Sequence, residues 1–510
     1  MSHIDRNIMH SSSEDDEEAL LLVVPEEENR RRSIEHDTKC GWKFWKKRRY
    51  VVTFLAFLGF FNIYALRVNL SVAIVAMTEN KTITLENGTQ IFEQEFNWDS
   101  KVQGWLLGSF FYGYILTQLP GGWLAAKIGG RKVMGVGIGV TAVLTLLTPM
   151  FAKANVYLFI AVRVLEGIFE GVTYPCIHAV WAKWAPPLER SRLATFAFAG
   201  SYVGTVVSMP MCGFLATTIG WESIFYVFGI VALIWCFCWF KIVTESPLDD
   251  PYITKDELMY LKETLGTLTA HDSKISHPWK AILTSPPVWA IVASHFSENW
   301  GFYTMLTQLP TFMKDAMGFD IKGAGFMSAL PYLAMALFTP IAGQLADHLL
   351  VKKILSTTHV RKIFNCGAFI GQTIFMCGTA YWLTPVGSTL CLTMAVGLGA
   401  FAWSGFSVNH LDIAPQHASV IMGIGNTFAT LPGIISPTIT GYIVADKTTS
   451  EWRMVFFIAA AIYLIGCIIY GIFASGDRQP WAMTETITSS TDLKSVESGL
   501  DNPTFQSDHK

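Results

Sequence analysis

The chain has 510 residues, of which 15% are charged, 51% hydrophobic and 13% aromatic, and its mean hydropathy is +0.37. Soluble domains average about 25% charged residues, so this composition excludes a soluble globular protein and predicts one that crosses the lipid bilayer many times. The formal net charge of −3 is too near zero to indicate a nucleic-acid-binding protein, and we expect no nucleic acid among its partners.

The polar N-terminal segment, residues 1–42, is predicted to be a disordered cytosolic tail, as is the Ser- and Thr-rich segment 477–510. An acidic run in the first tail ends at Glu18 and is followed by Leu21 and Leu22. This arrangement resembles an acidic dileucine sorting signal, which predicts a clathrin adaptor as partner and delivery to endosomes or lysosomes. The alternative is a chance match, because such patterns are short.

Between the tails, windows of about 20 apolar residues predict twelve transmembrane helices. The first six lie at 50–77, 103–125, 133–152, 156–182, 193–218 and 223–244. The second six lie at 286–314, 324–347, 362–383, 388–411, 417–444 and 453–475. The predicted fold class is an all-α membrane protein with two six-helix bundles, residues 43–244 and 286–476. A cytosolic loop at 245–285 separates them, with a short surface helix at 256–265.

Basic residues in the short loops orient the bundle. They precede the first span, follow the second and the fourth, and lie between the eighth and the ninth. All of them fall on one side if both termini are cytosolic, as the positive-inside rule requires. The opposite side then holds the acidic loop 78–100, in which Asn80 and Asn87 begin glycosylation sequons.

Several classes of chemistry are not supported by the sequence. The nine cysteines lie almost wholly in apolar segments and are interpreted as core residues rather than disulfides or metal ligands. Neither His178 nor His410 belongs to a metal-binding spacing. The phosphate-binding pattern Gly-x-x-x-x-Gly-Lys-Ser/Thr is absent from the sequence, which argues against an ATP-driven pump. We therefore predict that the protein is not an enzyme and carries no cofactor or metal.

The fourth span carries Arg163, Glu166 and Glu170, which share one face of a helix at this spacing. A charge at mid-bilayer costs roughly 2.5–3.5 kcal/mol, so this face has to point into the protein interior or a watery cavity. One interpretation is a buried salt bridge that locks two helices. The other is a transport site in which the arginine binds an anion and the carboxylates carry protons. Because Arg163 suits a fixed pair with Glu166, Glu170 is the preferred proton carrier.

Arg67 lies in the middle of the first span without a partner on its own helix. A guanidinium can bind a carboxylate at two points, so Arg67 is predicted to bind an anionic substrate; the alternative is an ion pair with Glu166 or Glu298. A carboxylate that drives symport has to gain and lose a proton during the cycle. Burial favours its protonated form and a neighbouring arginine its ionised form, so a substrate that displaces the arginine couples the two events.

Uncharged side chains are predicted to complete the substrate site. The aromatic candidates, for which ordinary core or lipid-facing packing is the alternative, are Tyr64, Phe110, Tyr114 and Tyr303. Ser407 and Asn409 interrupt the tenth span and are predicted to donate hydrogen bonds to a polyhydroxylated ligand, or else to join helices. His178 follows Glu170 by two turns and is predicted either to relay protons or to hydrogen-bond in the core.

An internal repeat supports the division into halves. A glycine and a basic pair follow the second span, at 122–132, and again the eighth, at 343–353. The two loops resemble the signature of the major facilitator superfamily, although Ala126 replaces its aspartate and the second copy is longer. The resemblance implies two six-helix bundles with a substrate site between them near mid-membrane.

A closer resemblance runs through nearly all of the membrane region. The motifs that carry it lie at 64–70, 108–115, 170–175, 184–190 and 409–415. They resemble the organic anion/cation symporter family, which includes sialin, the vesicular glutamate transporters and sodium–phosphate transporters; residues 163–167, His178 and 426–430 are most similar to sialin. The resemblance implies coupled transport of carboxylate anions, with Arg67 and Arg163 binding the carboxylate. Two positions depart from the glutamate transporters: Leu107 replaces a histidine and Glu298 an arginine.

We therefore predict a secondary active transporter that exports small organic anions from lysosomes or vesicles together with protons. Acidic sugars such as sialic acid, or acidic amino acids, are the predicted cargo. One alternative is a sodium-dependent cotransporter of phosphate or organic anions at the plasma membrane, with Na+ as the coupling ion. Another, of a different class, is a non-transporting receptor built on a transporter scaffold.

Overall fold

The computed structural model of the chain describes residues 46–84, 90–269 and 277–482. Over these residues it contains fifteen α-helices, three short 3-10 helices and one two-stranded hairpin. The predicted sorting residues Leu21 and Leu22 and the predicted glycosylation site Asn87 lie outside the described residues.

The twelve predicted spans all coincide with helices, which confirms the all-α membrane fold. The N-terminal half comprises α1 (Arg48–Met77), β1 (Asn80–Thr84), β2 (Gln90–Gln94), α2 (Ser100–Ile128), α3 (Gly130–Ala154), α4 (Val156–Glu170), α5 (Thr173–Trp184), α6 (Pro187–Thr218) and α7 (Glu222–Ile242). The central segment holds α8 (Lys255–Thr269) and α9 (Trp279–Thr284). The C-terminal half comprises α10 (Pro286–Asp315), α11 (Ile321–Val351), α12 (Thr357–Tyr381), α13 (Pro385–Ile413), α14 (Ala418–Ile443) and α15 (Thr449–Phe473). In the described part of the chain, nine helices are long and apolar enough to cross a membrane by length and composition alone.

The fourth span is not the single helix that the sequence predicts. It divides into α4 and α5 at Gly171 and Val172, because Pro175 has no N–H to donate to the carbonyl of Gly171. Helix α2 also passes directly against the break, since a Cβ at Gly171 would collide with the hydroxyl of Thr117 and the carbonyl of Tyr114. The charged face of the span therefore ends at the break, with Glu170 as the last residue of α4.

The segment between α1 and α2 contains an antiparallel hairpin that the sequence did not predict. Asn80, the first residue of β1, pairs with Gln94 at the end of β2. The loop that follows is fixed to the N-terminal half, because the indole of Trp221 donates a hydrogen bond of 3.0 Å to Glu95 and its ring packs on Phe96. One predicted glycosylation site thus lies on a hairpin attached to this half of the molecule.

The predicted helix of the central segment is present as α8, and it is joined to the start of α1 by ion pairs. Arg49 contacts Glu189 of α6 through Nη2 at 3.0 Å and Glu257 of α8 through Nη1 at 3.2 Å. Arg48 donates from Nε to Asp250 at 2.9 Å. These contacts hold the first part of the central segment against the end of the N-terminal half where α1 begins.

The two halves meet through close backbone contacts at the end of the molecule where α1 ends. Helix α2 approaches α14 where a Cβ at Gly104 would lie 2.5 Å from the carbonyl oxygen of Pro437. Helix α6 approaches α11 in the same way at Gly213, and Lys314 at the end of α10 pairs with Glu79 just after α1. Small residues permit such close approach between helices, so the structure is closed at this end.

Candidate functional site

A close crossing of α2 and α4 positions the charged face of the fourth span. A Cβ at Gly113 or at Gly167 would overlap the carbonyl oxygen of Val164 or Phe110, so only glycine permits the two backbones to lie this near each other. The crossing holds the end of α4 in the middle of the N-terminal half, where its three charged side chains are all buried.

The first buried ion pair joins Arg67 of α1 to Glu170 of α4. Arg67 donates from Nε and Nη2 to the same carboxylate oxygen, Oε1, at 2.9 and 2.5 Å. The side chains are only 3% and 1% exposed. The other carboxylate oxygen, Oε2, is buried and has no hydrogen-bond partner among the described residues. The predicted alternative, an ion pair of Arg67 with Glu166 or Glu298, is therefore wrong. Arg67 instead pairs with Glu170, the predicted proton carrier.

The second pair joins Arg163 to Glu166, as the i, i+3 spacing predicts. Nη1 of Arg163 lies 2.5 Å from Oε2 of Glu166. The other oxygen of Glu166 accepts hydrogen bonds from Thr145 at 3.1 Å and Thr148 at 3.3 Å. Both oxygens of Glu166 are thus satisfied, whereas Glu170 has one that is not, and the two carboxylates are not equivalent.

The threonine hydroxyls that donate to Glu166 were not predicted from the sequence, because threonines are common in apolar helices. Their spacing is the signal that could have found them. Thr141, Thr145 and Thr148 fall on one face of α3, and all three are buried. A polar stripe of this kind, one span before a carboxylate, predicts the hydrogen-bond donors that a buried carboxylate needs.

Aromatic rings surround the guanidinium of Arg67. Its Cζ lies 4.8 Å from the ring centroids of Tyr64 and Tyr114 and 5.0 Å from that of Phe110. The ring of Phe110 also lies 5.4 Å from Cζ of Arg163, between the two arginines. These distances permit cation–π attraction, which stabilises a charged guanidinium without neutralising it. Three of the four predicted aromatic residues therefore lie at the arginine site.

A small cavity opens beside the two arginines at the boundary between the halves. It is lined by Arg67, Ser71, Leu107, Phe110, Phe111, Arg163, Leu306 and Thr307. About 10 Å³ of it admits the centre of a water molecule, so it holds no more than about one water. Tyr303, the fourth predicted aromatic residue, is buried next to it, with its ring 4.6 Å from that of Phe111. Side chains from both halves thus enclose the space in front of the arginines.

Two predicted residues of the tenth span lie elsewhere. Ser407 and Asn409 are near the C-terminal end of α13, where Ser407 donates to the carbonyl of Trp403 at 2.6 Å. Asn409 is fully buried and donates to the hydroxyl of Tyr470 on α15 at 2.8 Å. The contact of Asn409 is the predicted alternative, in which the residue joins helices, here α13 and α15. Ser407 bonds within its own helix and joins no helices through this contact, and neither side chain lines the cavity.

His178 lies on α5, beyond the break in the fourth span. Its side chain is exposed, its ring centroid is 6.3 Å from that of Phe198, and it makes no hydrogen bond within the described ranges. The predicted core hydrogen bond of His178 is therefore wrong. A role as a proton relay stays a prediction.

The chain is similar in sequence to a known protein family and to known transporters. The model of the Major Facilitator Superfamily matches residues 52–437. Vesicular glutamate transporter 2 of Homo sapiens is 44% identical over 443 residues, which cover 86% of this chain and 76% of that protein. Sialin of Homo sapiens is 45% identical over 453 residues, which cover 86% of this chain and 91% of that protein.

Solved structures share the same architecture at much lower identity. The crystal structure of a D-xylose–proton symporter has a TM-score of 0.63 at 17% identity, covering 84% of this chain and 99% of that chain. A bacterial homologue of the human lysosomal transporter Spinster has a TM-score of 0.63 at 13% identity, covering 85% of this chain and 99% of that chain. These likenesses concern the fold of the two bundles.

Proposed function

This chain belongs to the Major Facilitator Superfamily, with vesicular glutamate transporters and sialin among its relatives, and from that premise we propose that it carries small organic anions across a membrane together with protons. The observation that carries the proposal is the pair of buried arginine–glutamate contacts beside a cavity between the halves. Acidic sugars such as sialic acid, or acidic amino acids, are the proposed substrates.

Competition for Arg67 provides the coupling. Glu170 occupies one edge of the guanidinium, and the carboxylate of a substrate that enters the cavity needs the same two-donor edge. A displaced Glu170 is left buried without a counter-charge, so it binds a proton from the compartment to which the site is open. When the substrate leaves on the other side of the membrane, Glu170 pairs with Arg67 again and releases its proton on that side. One anion and one proton therefore cross together.

The second arginine has a different task in this scheme. Arg163 also lines the cavity, but Glu166 is held to it at 2.5 Å and by two threonine hydroxyls. This carboxylate has a complete set of partners and stays ionised through the cycle, so Arg163 supplies a fixed positive environment for the anion. Glu166 is thus a positioning residue rather than the proton carrier.

Alternating access requires the two halves to rock about the central site. The close glycine contacts at the extracytosolic end favour a state in which that side is sealed. Deeper in the bundle, Asn426 of α14 donates to Gln118 of α2 at 2.6 Å, a contact between the halves that has to break or shift when the site changes sides. The coupling ion is proposed to be H+, with Na+ as the alternative that the experiment below tests.

The proposed location is the membrane of lysosomes or vesicles, with cytosolic termini and with transport directed towards the cytosol. The named relatives support an intracellular membrane. Leu21 and Leu22 are proposed to bind a clathrin adaptor, and Asn80 and Asn87 to carry glycans on the lumenal side. The alternative location is the plasma membrane.

The decisive experiment measures flux in proteoliposomes under imposed gradients. Purified protein is reconstituted, and uptake of labelled N-acetylneuraminate and of L-glutamate is followed with a pH difference, a sodium difference or neither. Accumulation driven by the pH difference and independent of sodium is expected. Accumulation that requires sodium would replace the proposal by the sodium-dependent alternative. Binding of either compound without flux under any gradient would favour a receptor.

A further inference from the structure

The C-terminal half contains a buried carboxylate that the scheme above does not use. Glu298 lies on α10 and is 2% exposed. Within the described ranges, its Oε2 atom has no hydrogen-bond partner, and no lysine, arginine or histidine forms an ion pair with the carboxylate. A buried carboxylate without a counter-charge requires a chemical explanation, because such a group is costly to ionise.

A glutamine from another helix meets this carboxylate. Gln372 of α12 is fully buried, and neither its amide oxygen nor its amide nitrogen has a hydrogen-bond partner by strict geometry in the described part of the chain. Both side chains converge on Gly399 of α13. A Cβ there would collide with Oε1 of Glu298 and lie 3.1 Å from Nε2 of Gln372. The glycine thus leaves room for the carboxyl and carboxamide groups to face each other.

The hydrogen-bonding capacity of the two groups matches when the carboxyl is protonated. A carboxylic acid offers one donor and one acceptor, and a carboxamide offers the complementary acceptor and donor. A small adjustment then pairs the hydroxyl of Glu298 with Oε1 of Gln372, and Nε2 of Gln372 with the carbonyl of Glu298. The ionised carboxylate only accepts hydrogen bonds, so it would leave the amide oxygen unpaired and its own charge uncompensated.

The surroundings of Glu298 supply no positive charge in the described residues. The titratable groups that approach it from the packed helices are the phenols of Tyr463 on α15 and Tyr202 on α6. His295, one turn earlier on α10, packs its ring on Phe406 instead, at 5.2 Å. From α1, α9, α11, α13 and α14, the other helices packed against α10, no described charged side chain pairs with Glu298.

We propose that Glu298 and Gln372 form a second proton site, located in the C-terminal half and separate from the arginine–glutamate pairs. This inference rests on the proposed proton-coupled transport and adds one exchangeable proton to it. The site gains its proton when α10, α12 and α13 admit water from one side and loses it on the other. Each cycle then moves two protons with one anion, so transport of a monovalent anion carries one net positive charge.

Infrared difference spectroscopy on the purified full-length protein tests the site without a substrate. A pH step should reveal the carbonyl stretch of a protonated carboxylic acid. Glu298→Gln should remove this component, and Gln372→Leu should shift it to higher frequency because the carbonyl loses its amide donor. Glu166→Gln, which changes a carboxylate that we place in a fixed ion pair, serves as the matched control and should leave the component in place. An identical spectrum in wild type and Glu298→Gln would overturn the proposal, as would removal of the band by Na+ at constant pH.

A flux measurement tests the second proton. Uptake of N-acetylneuraminate, a monovalent anion, is measured in proteoliposomes at a fixed pH difference with and without an imposed membrane potential. A potential that is negative on the side receiving the anion should accelerate the wild type and leave Glu298→Gln unaffected. An equal response in both proteins would overturn the second proton. Absence of any wild-type flux would instead overturn the proposed transport, and the infrared result would still decide whether Glu298 binds a proton.

Discussion

Replacing Arg67 by lysine tests the central interaction, because lysine keeps the charge and removes the two-donor edge. In the structure, Nε and Nη2 both donate to one oxygen of Glu170, and we expect a substrate carboxylate to use the same two donors. A hydrogen bond to a charged group contributes about 1.5–3 kcal/mol, and each 1.4 kcal/mol corresponds to about tenfold in affinity. Losing one of the two donors should therefore raise KM by about 10- to 150-fold.

The assay is initial uptake of N-acetylneuraminate and L-glutamate in proteoliposomes under a fixed pH difference, over a range of substrate concentrations. Arg361→Lys is the matched control. Arg361 is also largely buried and binds Asp412 through two nitrogens, at 2.7 and 3.3 Å, but it does not line the cavity. Its replacement should leave KM within about twofold. Wild-type KM in Arg67→Lys, or an equal rise in Arg361→Lys, would refute the assignment of Arg67 to substrate binding.

Three further outcomes are expected from other parts of the molecule. Glu170→Gln imitates the protonated carrier, so it should abolish accumulation of substrate driven by a pH difference, while exchange of labelled for unlabelled substrate persists. Accumulation driven by a pH difference in this variant would show that another residue carries the proton. Joint replacement of Leu21 and Leu22 by alanine should move the protein to the cell surface in fluorescence microscopy, and an unchanged distribution would remove the sorting role. Gly167→Ala should lower stability by about 1–3 kcal/mol through overpacking, seen as a lower Tm of the detergent-solubilised protein, whereas Gly367→Ala, at a position with open space around it, should not.

Much of the fold follows from sequence because the bilayer allows few solutions. A stretch of apolar residues long enough to span has to be helical, so the span limits differ from the observed helices by only a few residues. The fourth span was predicted less well, since hydropathy does not register a missing N–H at Pro175. The hairpin that begins at Asn80 was missed because most of its residues are polar and the alternation of polar and apolar residues along its strands is weak.

The contacts of the candidate site also differ in how well the sequence predicts them, because some join neighbouring residues and others join residues far apart in the chain. Arg163 and Glu166 lie three residues apart, so helix geometry alone predicts their pairing. Arg67 and Glu170 are separated by 103 positions, and their contact depends on how the packing of the whole bundle places α1 and α4. The role of Asn409 could not be decided from the sequence. A polar residue in a span has the same sequence signature whether it binds a ligand or, as here, bonds to Tyr470 of another helix.

The ion pairs of Arg48 and Arg49 with the central segment have a practical consequence for imaging. Because they fasten α8 to the end of the N-terminal half where α1 begins, that helix should move with the half as one body. An antibody fragment raised against α8 would therefore provide a rigid fiducial outside the detergent micelle. It would permit particle alignment in electron cryomicroscopy while leaving the C-terminal half free to move.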